Sequence, residues 1–474
     1  MAEALWTVDE LIACTGGRLH GQVTTSLNAV TIDSRAVAEG DIFVAIKGER
    51  HDAHDFVASA LRAGAGLAVV SRVTDDMLSA GPVLEVADDP LRGLESMGRA
   101  ARSRCAGQVV AVTGSVGKTS TKEMLRVALS ASGQTHASAA SFNNHWGVPL
   151  TLARMPRDTA FGVFEIGMNH AGEITPLVGM VRPHVAIITT IAASHLGNFD
   201  SLDSIADAKA EIFSGVVPGG HAVISRDTPY FERLAAAARA SGITSVVSFG
   251  KHAEADVRME RVALHAECCC ITASVMGEMM IYKLGLPGEH MAVNSLAVLA
   301  AARLAGADLA RASLALAEAR PAKGRGVRES RLIHGGELLL IDESYNANPA
   351  SVAAALGLLG ASRPAKGGRR IAVLGDMLEL GEQGPALHAG LLDPMDAAKV
   401  DVLYAAGPLM ANLWERVDPE RRGAYAETSE ALREQLLKAL RPGDVVMIKG
   451  SLGSRMGPLV EAIRAACPPS AKET

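Results

Sequence analysis

The chain has 474 residues, too many for one hydrophobic core, and its 48% hydrophobic and 21% charged residues are typical of a globular protein with several domains. Its formal net charge of −6 argues against a nucleic-acid-binding protein, which would present a basic surface, and no apolar run is long enough to cross a bilayer. The cysteines at 268–270 are consecutive, which suits neither a disulfide framework nor a zinc site. We therefore expect a cytoplasmic protein without membrane insertion, since the N-terminus also lacks a signal peptide.

Residues 1–95 form the first predicted domain. Short strand-like runs, a turn at 39–41 and a helix near 55–64 indicate a small α/β unit. The sequence then becomes charged between residues 89 and 107, as expected of a helix that leads out of this domain.

The most informative pattern is a valine-rich strand at 109–113 that breaks into the glycine loop GSVG and then into a helix over 118–129. Glycines let such a loop turn tightly and direct its N–H groups toward an anion, and the helix adds its positive N-terminal end. Lys118 would reach the outer phosphates of a nucleoside triphosphate, and the Thr119 hydroxyl would hold Mg²⁺. An ordinary strand–turn–helix with incidental glycines explains the Lys-Thr pair less well. The predicted nucleotide contacts in this loop are Gly114, Ser115, Val116, Gly117, Lys118, Thr119 and Ser120.

This loop is shorter than the common phosphate-loop pattern, because Gly114 stands only three positions before Gly117 and follows Thr113. The short form resembles the loop of the Mur ligases and of the related folylpolyglutamate synthetases. The resemblance implies that the chain also carries a metal-binding glutamate, a histidine, an unusual lysine and a separate C-terminal domain.

Residues 96–321 form the predicted central domain, in which strand-like and helical runs alternate, as in a largely parallel sheet wrapped by helices. The strand runs after the loop are 161–166, 185–191, 221–225 and 245–249. Glu165 and His195 lie at the ends of neighbouring strand candidates of this sheet, which would let both reach a metal held by Thr119. Each taken alone has a plainer interpretation, as a solvated strand-end glutamate and a surface histidine.

At these residues the resemblance to the Mur ligases becomes close and spans nearly the full chain. It implies that Glu165 and His195 are magnesium ligands. It also implies that Lys209, in the segment AKAEIF at 208–213, is carbamylated and binds a second Mg²⁺. Without the family, Lys209 would be interpreted as a solvated charge on a helix.

Further residues match the nucleotide contacts of the family. The segment 288–294 resembles the adenine-side motif, but Met291 replaces its first Asn, so that only Asn294 is carried over. Arg325 and Asp342 match residues that touch the nucleotide in relatives when the domains close.

A linker at 321–326 precedes the third predicted domain, residues 322–474, which we expect to be a Rossmann-like α/β unit. Its predicted strands are 338–341, 371–374, 400–404 and 445–448. Polar residues follow three of these strands, at 342–346, 375–376 and 449–451, where ligands bind in such sheets.

Four stretches resemble the branch of the family that adds D-alanyl-D-alanine to UDP-N-acetylmuramoyl-tripeptide. They are 40–48 with 54–56, 143–150, 342–349 and 373–381. Two residues depart from that pattern, since Ala53 stands where glycine is usual and Ser141 where asparagine is frequent. The motif by which the diaminopimelate-adding relative reads its amino acid is absent from the sequence.

The resemblance also implies substrate contacts in the first and third domains. Residues 33–35 match the family's uridine-nucleotide contact region, although an exposed turn is the alternative, and an arginine there suits a diphosphate. The predicted substrate contacts are Ser34, Arg35, Asn143, Asn144, Asn346 and Asn348.

The resemblance therefore implies a three-domain α/β enzyme of peptidoglycan precursor synthesis, whose domains hold the UDP-sugar, ATP with Mg²⁺, and D-alanyl-D-alanine in that order. We expect a monomer that forms an acyl phosphate and then an amide, with Lys118, Lys209 and His195 as catalytic residues and no nucleic-acid partner. The predicted metal ligands are Thr119, Glu165, His195 and Lys209. Two alternatives stay open, another ligase such as a folylpolyglutamate synthetase, and a nucleotide-dependent switch without ligation. Another ligase would be distinguished by the acceptor on which its ATP turnover depends. A nucleotide switch would not need the combination of Glu165, His195 and Lys209.

Overall fold

The computed structural model describes residues 4–48, 51–139, 141–194 and 196–470. Within these ranges the chain forms three sheets, of five, nine and six strands, which follow one another along the chain. The predicted α/β class with a mostly parallel central sheet is confirmed. The exact domain limits at 95 and 321 stay predictions, and the helix that crosses the first limit spans Pro90–Arg104.

The first sheet has the strand order β1-β5-β4-β3-β2 and is parallel except for β1. Its strands are β1 (Arg18–His20), β2 (Ala29–Thr31), β3 (Asp41–Val44), β4 (Leu67–Val70) and β5 (Val83–Glu85). The helices of this part are α1 (Val8–Thr15), α2 (Val57–Arg62), α3 (Asp75–Ala80) and α4 (Pro90–Arg104).

The central sheet has the order β14-β13-β12-β11-β10-β9-β6-β8-β7, with parallel pairing from β7 to β12 and antiparallel pairing beyond. Its strands are β6 (Gln108–Thr113), β7 (Thr135–Ala137), β8 (Phe161–Glu165), β9 (Val185–Ile188), β10 (His221–Ser225), β11 (Ser245–Gly250), β12 (Val257–Leu264), β13 (Cys269–Val275) and β14 (Glu278–Leu284). The helices are α5 (Lys118–Ser130), α6 (Gly147–Ala153), α7 (Ile174–Val181), α8 (Leu202–Ala210), α9 (Phe231–Ala240), α10 (Glu289–Leu304) and α11 (Leu309–Ala315). The antiparallel extension was not predicted from the sequence.

The third sheet has the order β15-β16-β20-β17-β18-β19. Its described strands pair in parallel, except that β15 and β16 form an antiparallel hairpin. Its strands are β15 (Val327–Ile333), β16 (Gly336–Glu343), β17 (Arg370–Gly375), β18 (Val402–Ala406), β19 (Arg422–Ala426) and β20 (Val445–Lys449). The helices are α12 (Pro349–Ala361), α13 (Gly384–Ala389), α14 (Leu392–Ala397), α15 (Ala411–Trp414), α16 (Ser429–Ala439) and α17 (Gly457–Ala466).

The first and second units share a hydrophobic core. Leu150 and Ala153 of α6, although they follow the phosphate loop in the chain, pack in one cluster with the strands of the first sheet and with α4. The indole Nε1 of Trp6 donates to the carbonyl of Ala153 at 2.8 Å, and Arg154 Nε donates to the carbonyl of Val30 at 2.5 Å. In the part of the chain that the structure describes, the two clusters of the third sheet draw their residues from that unit alone.

None of the described helices is both long enough and apolar enough to cross a bilayer.

Candidate active site

The phosphate loop joins β6 to α5 in the predicted strand–loop–helix arrangement. Gly117 has a φ of 88°, and a Cβ at this position would lie 2.6 Å from Nδ2 of Asn294, so the site requires glycine for both conformation and close approach. The Ser115 N–H donates to the carbonyl of Thr190 at 2.8 Å, and the Ser115 hydroxyl donates to the carbonyl of Ala192 at 2.9 Å. The loop is therefore fixed to the segment that follows β9, and Asn294 lies against it.

The carboxylate of Glu165 lies at the buried end of β8, where the side chain is only 1% exposed. Its Oε2 accepts a hydrogen bond from the Thr119 hydroxyl at 2.8 Å, and its Oε1 accepts one from Nδ2 of Asn143 at 2.7 Å. Both donors are neutral, so hydrogen bonding alone does not balance the buried charge. The two predicted ligands Thr119 and Glu165 are thus in contact, as oxygen donors of the kind that Mg²⁺ prefers.

The order of the strands corrects one expectation. The strands before Glu165 and His195, β8 and β9, do not pair with each other, because the phosphate-loop strand β6 lies between them. The loops that follow β8 and β9 therefore border the phosphate loop from opposite sides. Strand β9 also ends earlier than predicted, since Thr189 and Thr190 bond to the phosphate-loop segment instead of continuing the strand. His195 itself lies outside the described residues.

Two lysines carry charge in this region. Lys118 Nζ donates to the carbonyl of Gly114 in its own loop at 2.7 Å, and burial lowers the Lys118 pKa. Lys209, on α8, is 2% exposed, and no carboxylate or other acceptor among the described residues contacts its ammonium group. Burial lowers the pKa of Lys209 well below its ordinary value, and the charge of Lys118 lowers it further. The alternative interpretation of Lys209 as a solvated helix charge is therefore excluded, while its assignment as a carbamylated metal ligand stays a prediction, and Lys209 is not one of the described residues that line the cleft below.

A cleft of about 380 Å³ separates the central unit from the third unit. On the central side its lining includes 115–120, Asn143, Glu165, His290 and Asn294. On the other side the lining includes Glu343, Tyr345, Asn346, Asn348, Lys449 and Ser451. The cleft therefore brings most of the predicted phosphate-loop contacts, with the predicted metal ligands Thr119 and Glu165, opposite the predicted substrate residues Asn346 and Asn348.

A second space of about 630 Å³ adjoins this cleft and contains Arg325 and Asp342 in its lining. The Arg325 guanidinium lies 4.3 Å from the ring centroid of Tyr345, a cation–π contact that joins the linker to the third unit. Asp342 is 2% exposed and accepts hydrogen bonds from the Ser344 hydroxyl at 2.6 Å and from Arg464 at 3.2 Å. Both predicted nucleotide residues thus border the interdomain space.

The other predicted substrate residues have different surroundings. Asn144 accepts hydrogen bonds from the N–H groups of Trp146 and Gly147, at 3.2 and 2.9 Å, and so holds the turn that precedes α6. The Arg35 side chain is 88% exposed and forms an ion pair with Asp33 at 2.8 Å. Ser34 and Arg35 are not among the described residues that line the cleft, so the structure does not bring them to the phosphate loop.

Several cleft residues carried no assigned role in the sequence. Glu343 and Lys449 form a buried ion pair at 3.3 Å, and Ser451 lies two residues beyond Lys449. Their position at or just beyond the ends of β16 and β20 was visible in the sequence as a set of polar residues at strand ends. What the sequence did not show is that β16 and β20 are adjacent, which places these side chains together.

The comparisons with known proteins agree with this geometry. Residues 26–100 match the Mur ligase family catalytic domain, residues 112–302 the Mur ligase middle domain, and residues 331–452 the Mur ligase glutamate ligase domain. The UDP-N-acetylmuramoyl-tripeptide–D-alanyl-D-alanine ligase of Escherichia coli (strain K12) is 34% identical over 463 residues, which cover 97% of this chain and 98% of that protein.

Solved structures give the same result. The MurF crystal structure from Acinetobacter baumannii superposes with a TM-score of 0.84 at 31% identity and covers 97% of this chain and 99% of its own. MurF from Thermotoga maritima in complex with ADP gives a TM-score of 0.74 at 25% identity, with 93% and 98% covered. Because the matched segments follow the same three-unit order along nearly the whole chain, this protein belongs to the Mur ligase family.

Proposed function

We propose that this protein joins D-alanyl-D-alanine to UDP-N-acetylmuramoyl-tripeptide with the free energy of ATP hydrolysis, in the synthesis of peptidoglycan precursors. The observation that carries the proposal is the cleft, in which the phosphate loop and Glu165 face Asn346 and Asn348 of the third unit. The names of the relatives at 28–34% identity over nearly the full chain support the same substrates.

The proposed reaction has two steps. An oxygen of the tripeptide's terminal carboxylate attacks the γ-phosphorus of ATP, so that a P–O bond forms, the bond to ADP breaks, and an acyl phosphate results. The amine of D-alanyl-D-alanine then attacks the acyl carbon, a C–N bond forms, the amine loses a proton, and the intermediate expels inorganic phosphate. Both nucleophiles arrive with the substrates, so the protein contributes position and charge.

The phosphate loop supplies most of that contribution. Its backbone N–H groups and the N-terminus of α5 bind the phosphates, and Lys118, released from the carbonyl of Gly114, balances the charge on the transferring phosphoryl group. The Arg325–Tyr345 contact and the surrounding cleft walls exclude water, which would otherwise hydrolyse the acyl phosphate.

We further propose that Mg²⁺ accompanies the nucleotide. The residues present fit the ion, since the Thr119 hydroxyl and the Glu165 carboxylate are buried oxygen donors that touch each other. His195 and a carbamylated Lys209 complete the proposed ligand set. Carbamylation suits the surroundings of Lys209, because burial lowers its pKa and so favours the neutral amine, whose attack on CO₂ forms an N–C bond, releases a proton and leaves a carbamate anion. When bound, the ion offsets negative charge on the phosphates.

We also propose that the first unit holds the UDP end through residues near Ser34 and Arg35, and that the enzyme acts as a cytoplasmic monomer. Each part is open to direct measurement. Size-exclusion chromatography with light scattering reports the mass in solution, and titration with UDP alone reports binding to wild type against Arg35→Ala.

A coupled assay tests the proposed function. Phosphate release is measured with ATP, Mg²⁺ and UDP-N-acetylmuramoyl-tripeptide, with and without D-alanyl-D-alanine, and the product is identified by mass spectrometry. Turnover that requires both acceptor and donor supports the proposal. Turnover with a folate and glutamate instead would indicate the folylpolyglutamate branch, and hydrolysis of ATP without either substrate would indicate a nucleotide switch.

A further inference from the structure

We propose that Lys449 and Ser451 are positioning residues for the acceptor, which act through the backbone of two cleft loops without touching the acceptor themselves. They belong to the segment 449–451, called here the β20 clamp, at the carboxyl end of β20. The two loops are the β16 loop, residues 344–348, and the β17 loop, residues 376–380. This inference rests on the proposed function, since it concerns the substrate of the third unit.

Lys449 connects three elements of the cleft wall. Its Nζ donates to the carbonyl of Asn346 in the β16 loop at 2.9 Å and lies 3.3 Å from the Glu343 carboxylate at the end of β16. The residue is 3% exposed, and burial lowers its pKa. Its ammonium group therefore holds the backbone of the β16 loop at a fixed distance from the ends of β16 and β20.

Ser451 connects the same loop to its neighbour. Its hydroxyl donates to the carbonyl of Ala347 in the β16 loop at 3.3 Å and accepts from the N–H of Leu378 in the β17 loop at 2.9 Å. The residue is 5% exposed, and its hydroxyl proton is already donated to the carbonyl of Ala347. Ser451 is thus suited to hold the two loops at a fixed spacing rather than to donate to a ligand.

The glycine between them explains why the clamp is compact. A Cβ at Gly450 would lie 2.5 Å from Cγ of Met456 and 3.2 Å from Cα of Gly375, at the end of β17. A side chain at this position would collide with Ser454 and Met456, which follow β20, and would crowd the end of β17. The three residues of the clamp therefore serve one arrangement, in which the β16 and β17 loops meet across the end of β20.

The loops held in this way carry the side chains that face the cleft from the third unit. Asn346, Asn348 and Leu378 all line it, and the Asn346 amide oxygen is occupied by the N–H of Ala347 at 2.9 Å, which leaves its NH₂ group to bind. The phosphate loop belongs to the opposite wall. A shift of the β16 loop should therefore weaken binding of the acceptor more than binding of the nucleotide.

The test uses the full-length enzyme with Ser451→Ala, which removes both hydrogen bonds, and Ser451→Thr, which keeps the hydroxyl. Ser362→Ala is the matched control. Ser362 lies in the same unit, is 2% exposed, and its hydroxyl donates to the carbonyl of Leu358 at 2.8 Å, but it is not among the described residues that line the cleft. Initial rates are measured with each of the three substrates varied in turn, together with thermal unfolding and titration with ADP.

We expect Ser451→Ala to raise the KM for D-alanyl-D-alanine about tenfold, the equivalent of one or two lost hydrogen bonds, with the KM values for ATP and the UDP-tripeptide changed less than about twofold. Ser451→Thr should restore most of the acceptor KM. Ser362→Ala should lower the Tm to a similar extent without altering any KM. If Ser451→Ala fails to fold, Lys449→Arg provides the second variant, because a guanidinium fork cannot reproduce both contacts of the ammonium group.

Two results would overturn the inference. An unchanged acceptor KM in Ser451→Ala and Lys449→Arg would show that the clamp does not position the acceptor. An equal loss of ADP affinity would show that the β16 loop serves the nucleotide. A wild-type enzyme without turnover dependent on D-alanyl-D-alanine is a different result, which refutes the proposed function itself.

Discussion

Replacement of Lys209 by methionine should make the unliganded protein more stable and the enzyme inactive. The side chain is 2% exposed, and no carboxylate among the described residues contacts its ammonium group. Burial lowers the pKa of this group, and in either protonation state a buried amine that no acceptor among the described residues contacts carries a desolvation cost. Methionine has a similar length and carries no charge, so it fills the same space without that cost.

The size of the effect follows from the burial. A buried polar group without a hydrogen-bond partner costs about 1–3 kcal/mol in proteins, and methionine at this position avoids that cost. For a domain of 150–250 residues, each kcal/mol corresponds to about 2–4 °C in Tm. We therefore expect the Tm of Lys209→Met to exceed that of wild type by several degrees, while kcat falls by at least about a hundredfold if Lys209 contributes to charge stabilisation in the site.

A second buried lysine provides the matched control. Lys122, on α5, is 0% exposed, but its Nζ donates to the carbonyl of Ser138 at 2.7 Å and lies 2.7 Å from the Glu123 carboxylate. Lys122→Met should lower the Tm, because the buried carbonyl of Ser138 loses its hydrogen-bond donor, at a cost of about 1–3 kcal/mol, while Glu123 keeps its ion pair with Arg126. Thermal unfolding of the three proteins is measured in buffer depleted of CO₂ and of Mg²⁺.

The proposed carbamate adds a rescue experiment to this series. Lys209→Ala opens a space in which acetate or formate can replace the lost carboxylate, so added acetate should restore part of the turnover, with chloride as the control for ionic strength. Lys209→Arg should not be rescued, since its guanidinium stays cationic and fills the space. Near-normal turnover of Lys209→Met, or a Tm below that of wild type, would refute the reasoning from an uncompensated buried amine.

Three further outcomes follow from the phosphate loop and the opposite wall of the cleft. Lys118→Ala should keep the fold by circular dichroism and lower kcat by about 10²–10³ or more, and wild-type turnover would argue against phosphate binding by this loop. Gly117→Ala should weaken ADP binding measured by calorimetry, because a φ of 88° costs a residue with a Cβ about 1–2 kcal/mol. The added Cβ would also displace Nδ2 of Asn294, so the double variant with Asn294→Ala should recover the lost stability only in part. Asn346→Ala should raise the KM for D-alanyl-D-alanine or ATP much more than that for the UDP-tripeptide, and an equal change in all three would place the effect elsewhere.

The phosphate loop was predictable because its chemistry is local. Strand, glycines, lysine and helix follow one another within 109–122, so no distant contact is needed to assign them. Glu165 was predictable only in part. The sequence shows an acidic residue at a strand end, but the insertion of β6 between β8 and β9 is a property of the sheet, and it makes Glu165 touch Thr119.

The surroundings of several site residues could not be predicted from the sequence, because their burial depends on contacts with distant parts of the chain. Lys209 looks like a solvated charge in the sequence, and its 2% exposure arises from packing against elements far along the chain. Lys449 and Ser451 were visible as polar residues after a strand, yet their role depends on the adjacency of β20 to β16 and β17. Asn144 stays a predicted substrate contact, and the sequence did not show that its amide oxygen also holds the turn before α6.

The core shared by α6 and the first sheet has a consequence for substrate length. Leu150 and Ala153 pack with the strands of the first sheet, and Trp6 and Arg154 add hydrogen bonds across the same boundary, so the first and second units resist separate movement. The distance from the proposed UDP site to Glu165 is then set by the fold, and it determines how long the peptide of the donor must be. If the first unit holds the UDP end, as proposed, a donor peptide shorter by one residue would end about 3.5 Å before the phosphate loop. Because this distance lies within the first and second units, the position of the third unit would not change it.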